Sequence, residues 1–217
     1  IKEVLSSSEG RERLKKEIVV TDPSWQDMWV TYFKNRHNYK FDGMSVSEVA
    51  LARNQHPVDA ICDLLLEEDL QVSYNAMGSN LKTLPAFITH PLSMVGSDAL
   101  LLGDHPPPRS YGTFTSILES YTRDEQQMSL PTAIRKMTAF PAQRLGIRNR
   151  GILRDGMKAD IVVFDPLTVK TTATRTNPKQ FPIGIQHVFV NGIQVVKDSV
   201  HTGALPGRAL KFNRGSI

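Results

Sequence analysis

Strand-like and helix-like stretches alternate along the front of the chain, and this order constrains the fold more than any other feature. The run Met28-Trp29-Val30-Thr31-Tyr32-Phe33 is β-branched and aromatic and predicts a strand. Ser45-Val46-Ser47-Glu48 fits a capping box ahead of Val49, Ala50 and Leu51. Asn54-Gln55-His56-Pro57 opens a second helix with Pro57 in its first turn, and Val58, Ile61, Cys62 and Leu65 recur on one face at helical spacing. Gln71-Val72-Ser73-Tyr74-Asn75 predicts a short strand, and residues 81–89 a helix interrupted by Pro85. Leu92-Ser93-Met94-Val95-Gly96-Ser97 predicts a further strand ending at Asp98. A Gly- and Pro-rich loop over residues 103–112 leads to helices over 113–123 and 129–140. Strands separated by helices in this way predict parallel βα units. Residues 1–18 are highly charged and predict a surface helix or helical hairpin, ended by Asp22-Pro23-Ser24.

After about residue 148 the pattern changes. Residues 159–166 predict a strand, and residues 168–182 are Thr- and Pro-rich and loop-like. Ile185-Gln186-His187-Val188-Phe189-Val190 and Ile193-Gln194-Val195-Val196-Lys197 flank Asn191-Gly192, the strongest short hairpin signal. The chain therefore divides into an α/β part over residues 1–148 and a β-rich, partly antiparallel part over 149–217. A complete (β/α)8 barrel takes roughly 250 residues. With 217 residues, this chain is too short for one and fits the last part of one.

Composition removes several function classes. Hydrophobic residues at 40% and charged residues at 22% exclude a disordered or collagen-like chain. The mean hydropathy is -0.26, and no apolar run reaches the roughly 18 residues of a membrane helix. The net charge is +4, but Lys and Arg are spread along the chain, so neither nucleic acid nor membrane is expected as a partner. The tail from Gly203 carries Arg208, Lys211 and Arg214 without an acid. A single cysteine, Cys62, excludes an internal disulfide and a Cys-based zinc knuckle and predicts a reducing, cytoplasmic setting. The first residue is Ile1 and no signal pattern follows, which predicts a processed chain or part of a longer one.

The six histidines are His37, His56, His90, His105, His187 and His201, and no two stand at i, i+2 or i, i+4. Structural or solvated roles are expected for all but His105, and a metal site built from this chain alone is not expected. Neither a nucleophile elbow nor a phosphate loop is present. Cys62, on an apolar helix face, reads as a small packing residue. Asp98 closes a predicted strand, and in βα folds that end faces the active site. Its carboxylate suits a general base or a metal ligand; equally, it can cap a turn through its own backbone. The residues alone leave both readings open.

Several runs fall in a familiar order: Met94-Val95-Gly96-Ser97-Asp98, Arg109-Ser110-Tyr111-Gly112-Thr113-Phe114, Ala133-Ile134-Arg135-Lys136-Met137-Thr138, Pro141-Ala142-Gln143-Arg144-Leu145-Gly146, and residues 151–166 with Gly156-Met157-Lys158-Ala159-Asp160. Together they resemble the C-terminal part of the amidohydrolase superfamily, within it the N-acyl-D-amino-acid deacylases, or D-aminoacylases. The resemblance implies an α/β fold made of the closing βα units of a metal-dependent hydrolase barrel plus part of a small β-sandwich domain. It implies zinc as cofactor and hydrolysis of the amide bond of N-acyl amino acids, N-acyl-D-amino acids first, to a carboxylate and a free amino acid. Asp98 matches the family's general base, which deprotonates the zinc-bound water, and it is the one residue here that can also ligate the metal. Arg109 matches a basic residue that holds the substrate carboxylate, with a plain surface arginine as its other reading. Tyr111 and His105 are candidates for the same substrate-binding mouth. Ala99 stands where the family has Gly, and Pro107-Pro108-Arg109 where it has His-Pro-Arg. The His-x-His and middle-strand ligands have no counterpart, so the resemblance implies a partner: a missing N-terminal half or a second polypeptide. The alternatives are a non-catalytic fragment or interaction module and a cyclic-amide hydrolase of the same superfamily.

Overall fold

Residues 1–18, 24–77 and 82–210 are described in the computed structural model of the chain. The break at Asp22 and Pro23, the first residue of the 81–89 helix, and Lys211 and Arg214 of the basic tail lie outside the described residues. The chain forms two units. The first comprises Ile1–Thr83, Ala99–Ser110 and Thr174–Lys179; the second comprises Leu84–Asp98, Tyr111–Ala173 and Gln180–Ile217.

In the first unit, α1 (Lys2–Ser6) and α2 (Ser8–Glu17) realise the charged hairpin, with the Ser7 hydroxyl capping α2 by accepting from Gly10 N. Strand β1 (Met28–Phe33) is followed by a 3-10 turn (Arg36–Phe41), α3 (Val46–Arg53), α4 (Pro57–Glu67) and β2 (Val72–Ala76). The Ser45–Glu48 capping box closes reciprocally, and Asn54 ends α3 in the left-handed region at φ 52. The expected parallel pairing is corrected here: β1 and β2 pair antiparallel as a two-stranded sheet. The order of strands and helices along a sequence does not set strand direction; the partner strand does.

The expected single apolar face of α4 is also corrected. Val58 and Cys62 pack with Leu5, while Ala60 and Leu64 pack with Val30, Phe33, Phe41 and Val49. Two faces of α4 are buried because the charged hairpin covers the second one. It is tied there by Arg11 Nη2 on Asp63 at 2.6 Å and Lys15 Nζ on Asp59 at 2.8 Å.

A polar cluster closes the end of α4. Glu68 is fully buried, and its carboxylate accepts from Asn35 N at 2.7 Å and Asn38 Nδ2 at 2.6 Å. Arg53 reaches both oxygens of Glu67 at 2.9 and 2.8 Å. That pair, helped by Asn38 and opposed by burial, holds the Glu67 carboxyl at about 2, below its ordinary value of 4.5. A folded value below the unfolded one contributes stability above pH 4.5 that is lost as pH falls toward about 2. Thermal melts across this range are therefore expected to show wild type losing more stability on acidification than Glu67→Gln. Parallel curves would contradict the assignment.

The second unit begins with α5 (Leu84–Thr89) and continues through α6 (Arg109–Ser116, which starts in the first unit), a π-helix (Ile117–Asp124), α7 (Leu130–Met137) and α8 (Ala139–Arg144). Two expected helices are thus modified. The 113–123 helix widens after Ser116, where Glu125 N donates to Ser120 O at 2.8 Å across five residues. The 129–140 helix breaks at Thr138, whose φ is -131. Ile117, Leu118, Met128, Ala133 and Val169 form the core, so the expected loop over 168–182 contributes a buried anchor.

Strands β3 (Ile161–Phe164), β4 (Ile185–Val190), β5 (Ile193–Lys197) and β6 (Val200–His201) form one antiparallel sheet in that order. Asn191 (φ 50) and Gly192 (φ 81) make the expected tight turn between β4 and β5. Asp198 and Ser199, at φ 49 and 66, make a second such turn without a glycine. Val162, Val163, Ile193 and Val200 of this sheet are exposed. No helix among the described residues is long and apolar enough to cross a membrane.

Candidate active site

The strand expected over residues 92–97 does not form. A short apolar run becomes a strand only when a neighbour completes its ladder, and β1 and β2 pair elsewhere. Asp98 therefore ends no strand; it sits exposed in irregular backbone at φ 46, in the left-handed region that Asp tolerates better than most residues. What holds the segment is Lys136. This lysine of α7 is 1% exposed. Its Nζ donates to the carbonyl of His90, to the carbonyl of Ser93 at 3.0 Å and to the Ser93 hydroxyl at 2.7 Å. Val95 N in turn donates to Lys136 O at 3.2 Å. Burial, then Arg135, pushes the Lys136 ammonium below the ordinary lysine value.

Sequence reasoning missed Lys136 as an anchor. The signal was its i, i+3 spacing from Ala133, which places a cation on the apolar stripe of α7.

Arg109 is the exposed first residue of α6, and Tyr111, two residues on, is half-buried. Gly112 is buried against Thr171, where a Cβ would collide with the threonine hydroxyl. Glu119 accepts from Thr171 N at 3.0 Å, and Arg123 donates to Val169 O at 2.7 Å. The segment over 169–171 thus fixes the helix that carries Tyr111.

His105 lies in the first unit, with Nδ1 3.2 Å from Asp42 Oδ1. Gly43, at φ +79, allows the imidazole to approach: a Cβ there would stand 2.7 Å from the ring. Asp42 also accepts from Asp104 N at 3.1 Å. Asp98 and Tyr111 belong to the second unit, and His105 and Arg109 to the first.

His37 lies 3.7 Å from the Glu67 carboxylate, and the other four histidines accept from backbone N–H groups. Nδ1 of His56, His90, His187 and His201 accepts from Val58 N, Leu92 N, Asp198 N and Gly203 N at 3.0–3.2 Å. Cys62 is buried, and burial raises its thiol above the ordinary value. Among the described residues no three His, Cys, Asp or Glu side chains stand together to hold a metal. The described residues do not by themselves fit a metal centre.

The chain thus joins an α/β stretch, which carries Asp98 in irregular backbone, to a four-stranded antiparallel sheet. A family model described as "Amidohydrolase family" matches residues 20–196, and the chain belongs to that family. It is 49% identical over 123 residues to an N-acyl-D-aspartate deacylase of Alcaligenes xylosoxydans xylosoxydans, covering 56% of this chain and 24% of that protein. It is 37% identical over 172 residues to a D-aminoacylase of the same organism, covering 79% and 34%. A crystal structure of N-acyl-D-glutamate deacylase from Bordetella bronchiseptica, complexed with zinc and a phosphonate mimic of the tetrahedral intermediate, superposes with a TM-score of 0.72. The identity is 31%, over 85% of this chain and 36% of that one. The chain thus spans a quarter to a third of the length of the curated relatives it matches.

Proposed function

We propose that this chain is the closing part of an N-acyl-D-amino-acid deacylase, which hydrolyses the amide of an N-acyl amino acid to a carboxylate and a free amino acid. The observation that carries the reading is the 49% identity to a deacylase of that type. In this reading Asp98 accepts a proton from the water that adds to the carbonyl carbon. It returns the proton to nitrogen as the C–N bond breaks. Arg109 grips the substrate carboxylate, and Tyr111 and His105 line the mouth. The family's divalent metal, zinc, is then held outside this chain's own residues, with Asp98 the one candidate ligand here. Residues 1–148 belong to the barrel and 149–217 to the small β-domain, in a reducing, cytoplasmic setting.

The exposed Val162, Val163, Ile193 and Val200 support a further part of this reading. Apolar side chains left open to water on a sheet are a docking liability, and we assign their cover to the missing front portion. Native mass spectrometry tests this on the chain co-expressed with the front portion of a deacylase relative. The expected result is a complex that retains zinc. A chain that stays at 24.3 kDa and captures nothing would overturn it. It would favour the second reading, a non-catalytic module, which the lack of a ligand group among the described residues supports.

A further inference from the structure

The second unit contains a cavity of about 420 Å³ between α8 and the connection that leads to β3. Its apolar part is made by Ile147, Ile152 and Met157, and Arg148, Arg150 and Arg154 surround it; no acidic residue lines it. Arg150 is fixed in place: one terminal nitrogen pairs with Asp160 and the other donates to Asn191 Oδ1. Its third donor, Nε–H, is buried and has no acceptor. Arg148 and Arg154 are exposed, and neither pairs with an acid among the described residues.

Three arginines thus line one cavity, and among the described residues only Arg150 is paired with a carboxylate, Asp160, which leaves a positive field over an apolar floor. Guanidinium forks match the planar oxygens of carboxylates and phosphates. The volume falls in the roughly 300–1,000 Å³ range of small-molecule sites.

We propose that this cavity binds a small organic oxyanion, its charged head between Arg148, Arg150 and Arg154 and its carbon skeleton on Ile147, Ile152 and Met157. This site is independent of Asp98 and of the deacylase reading.

The test is calorimetric titration of the full chain with phenyl phosphate and, separately, with phenylacetate. Saturable one-to-one binding of at least one probe is expected, and the stronger arm identifies the head group. Arg148→Gln with Arg154→Gln is expected to weaken that binding at least tenfold, and added NaCl to weaken it progressively. Both changes leave Arg150 and its partners in place. Ala139→Phe narrows the cavity without touching a charge and is expected to weaken binding of the aromatic probes as well. If the double variant does not fold, the Ala139→Phe result decides. No saturable binding of either probe, or binding unchanged in whichever variant folds, overturns the proposal.

Discussion

Asp98→Asn in the assembled enzyme is expected to lower turnover by roughly 10²–10⁴-fold, the usual contribution of a positioned proton acceptor. The amide keeps the size and hydrogen-bonding reach of the carboxylate but does not take a proton from water and pass it to the leaving nitrogen. The exposed position of Asp98 makes the substitution mild for folding. Activity and stability therefore separate cleanly: turnover falls and the melting temperature holds. Measuring both on the same preparation checks the role. Turnover within a factor of two of wild type would remove Asp98 from the chemistry.

Lys136→Met should give the largest loss of stability, about 2–4 kcal/mol. Methionine preserves the apolar stem that packs beside Ala133, so the change isolates the ammonium. Without it, the Ser93 carbonyl and hydroxyl lose the ammonium donor, and the His90 carbonyl keeps only its bonds from Ser93 N and the Ser93 hydroxyl. These three acceptors hold the segment that ends at Asp98. Urea unfolding followed by fluorescence should show the lower midpoint. Hydrogen exchange should show lost protection at Val95 N, which donates to the Lys136 carbonyl. An unchanged midpoint with unchanged exchange would mean that the segment is held by other contacts.

Local signals in the sequence were read well where they are self-contained. The Ser45–Glu48 capping box, Pro57 at the start of α4 and the Asn191-Gly192 hairpin all need only neighbouring residues to form, and all are present. Features that depend on a distant partner were not legible. The direction of β1 against β2 is set by pairing across some forty residues, well beyond the roughly 11–18-residue window in which periodicity is read. The run at 92–97 has strand-like composition but no ladder neighbour. The second face of α4 became a core because a charged hairpin lies on it, which composition alone argues against.

The candidate site shows the same division. Motif order singles out Asp98, Arg109, Tyr111 and His105 as candidates, and the fold distributes them over two units. Lys136, which anchors the segment before Asp98, and Asp42, 3.2 Å from the His105 ring, are not singled out by motif order, because such residues declare themselves only through burial and contacts.

The most direct measurement is amino-acid release by this chain assembled with a deacylase front portion. Matched N-acetyl-D- and N-acetyl-L-aspartate and a cyclic amide would be the substrates. Release from the D substrate that depends on this chain and is lost with Asp98→Asn is expected. Hydrolysis of the cyclic amide alone, or release that is the same whether or not this chain is present, would contradict the deacylase reading.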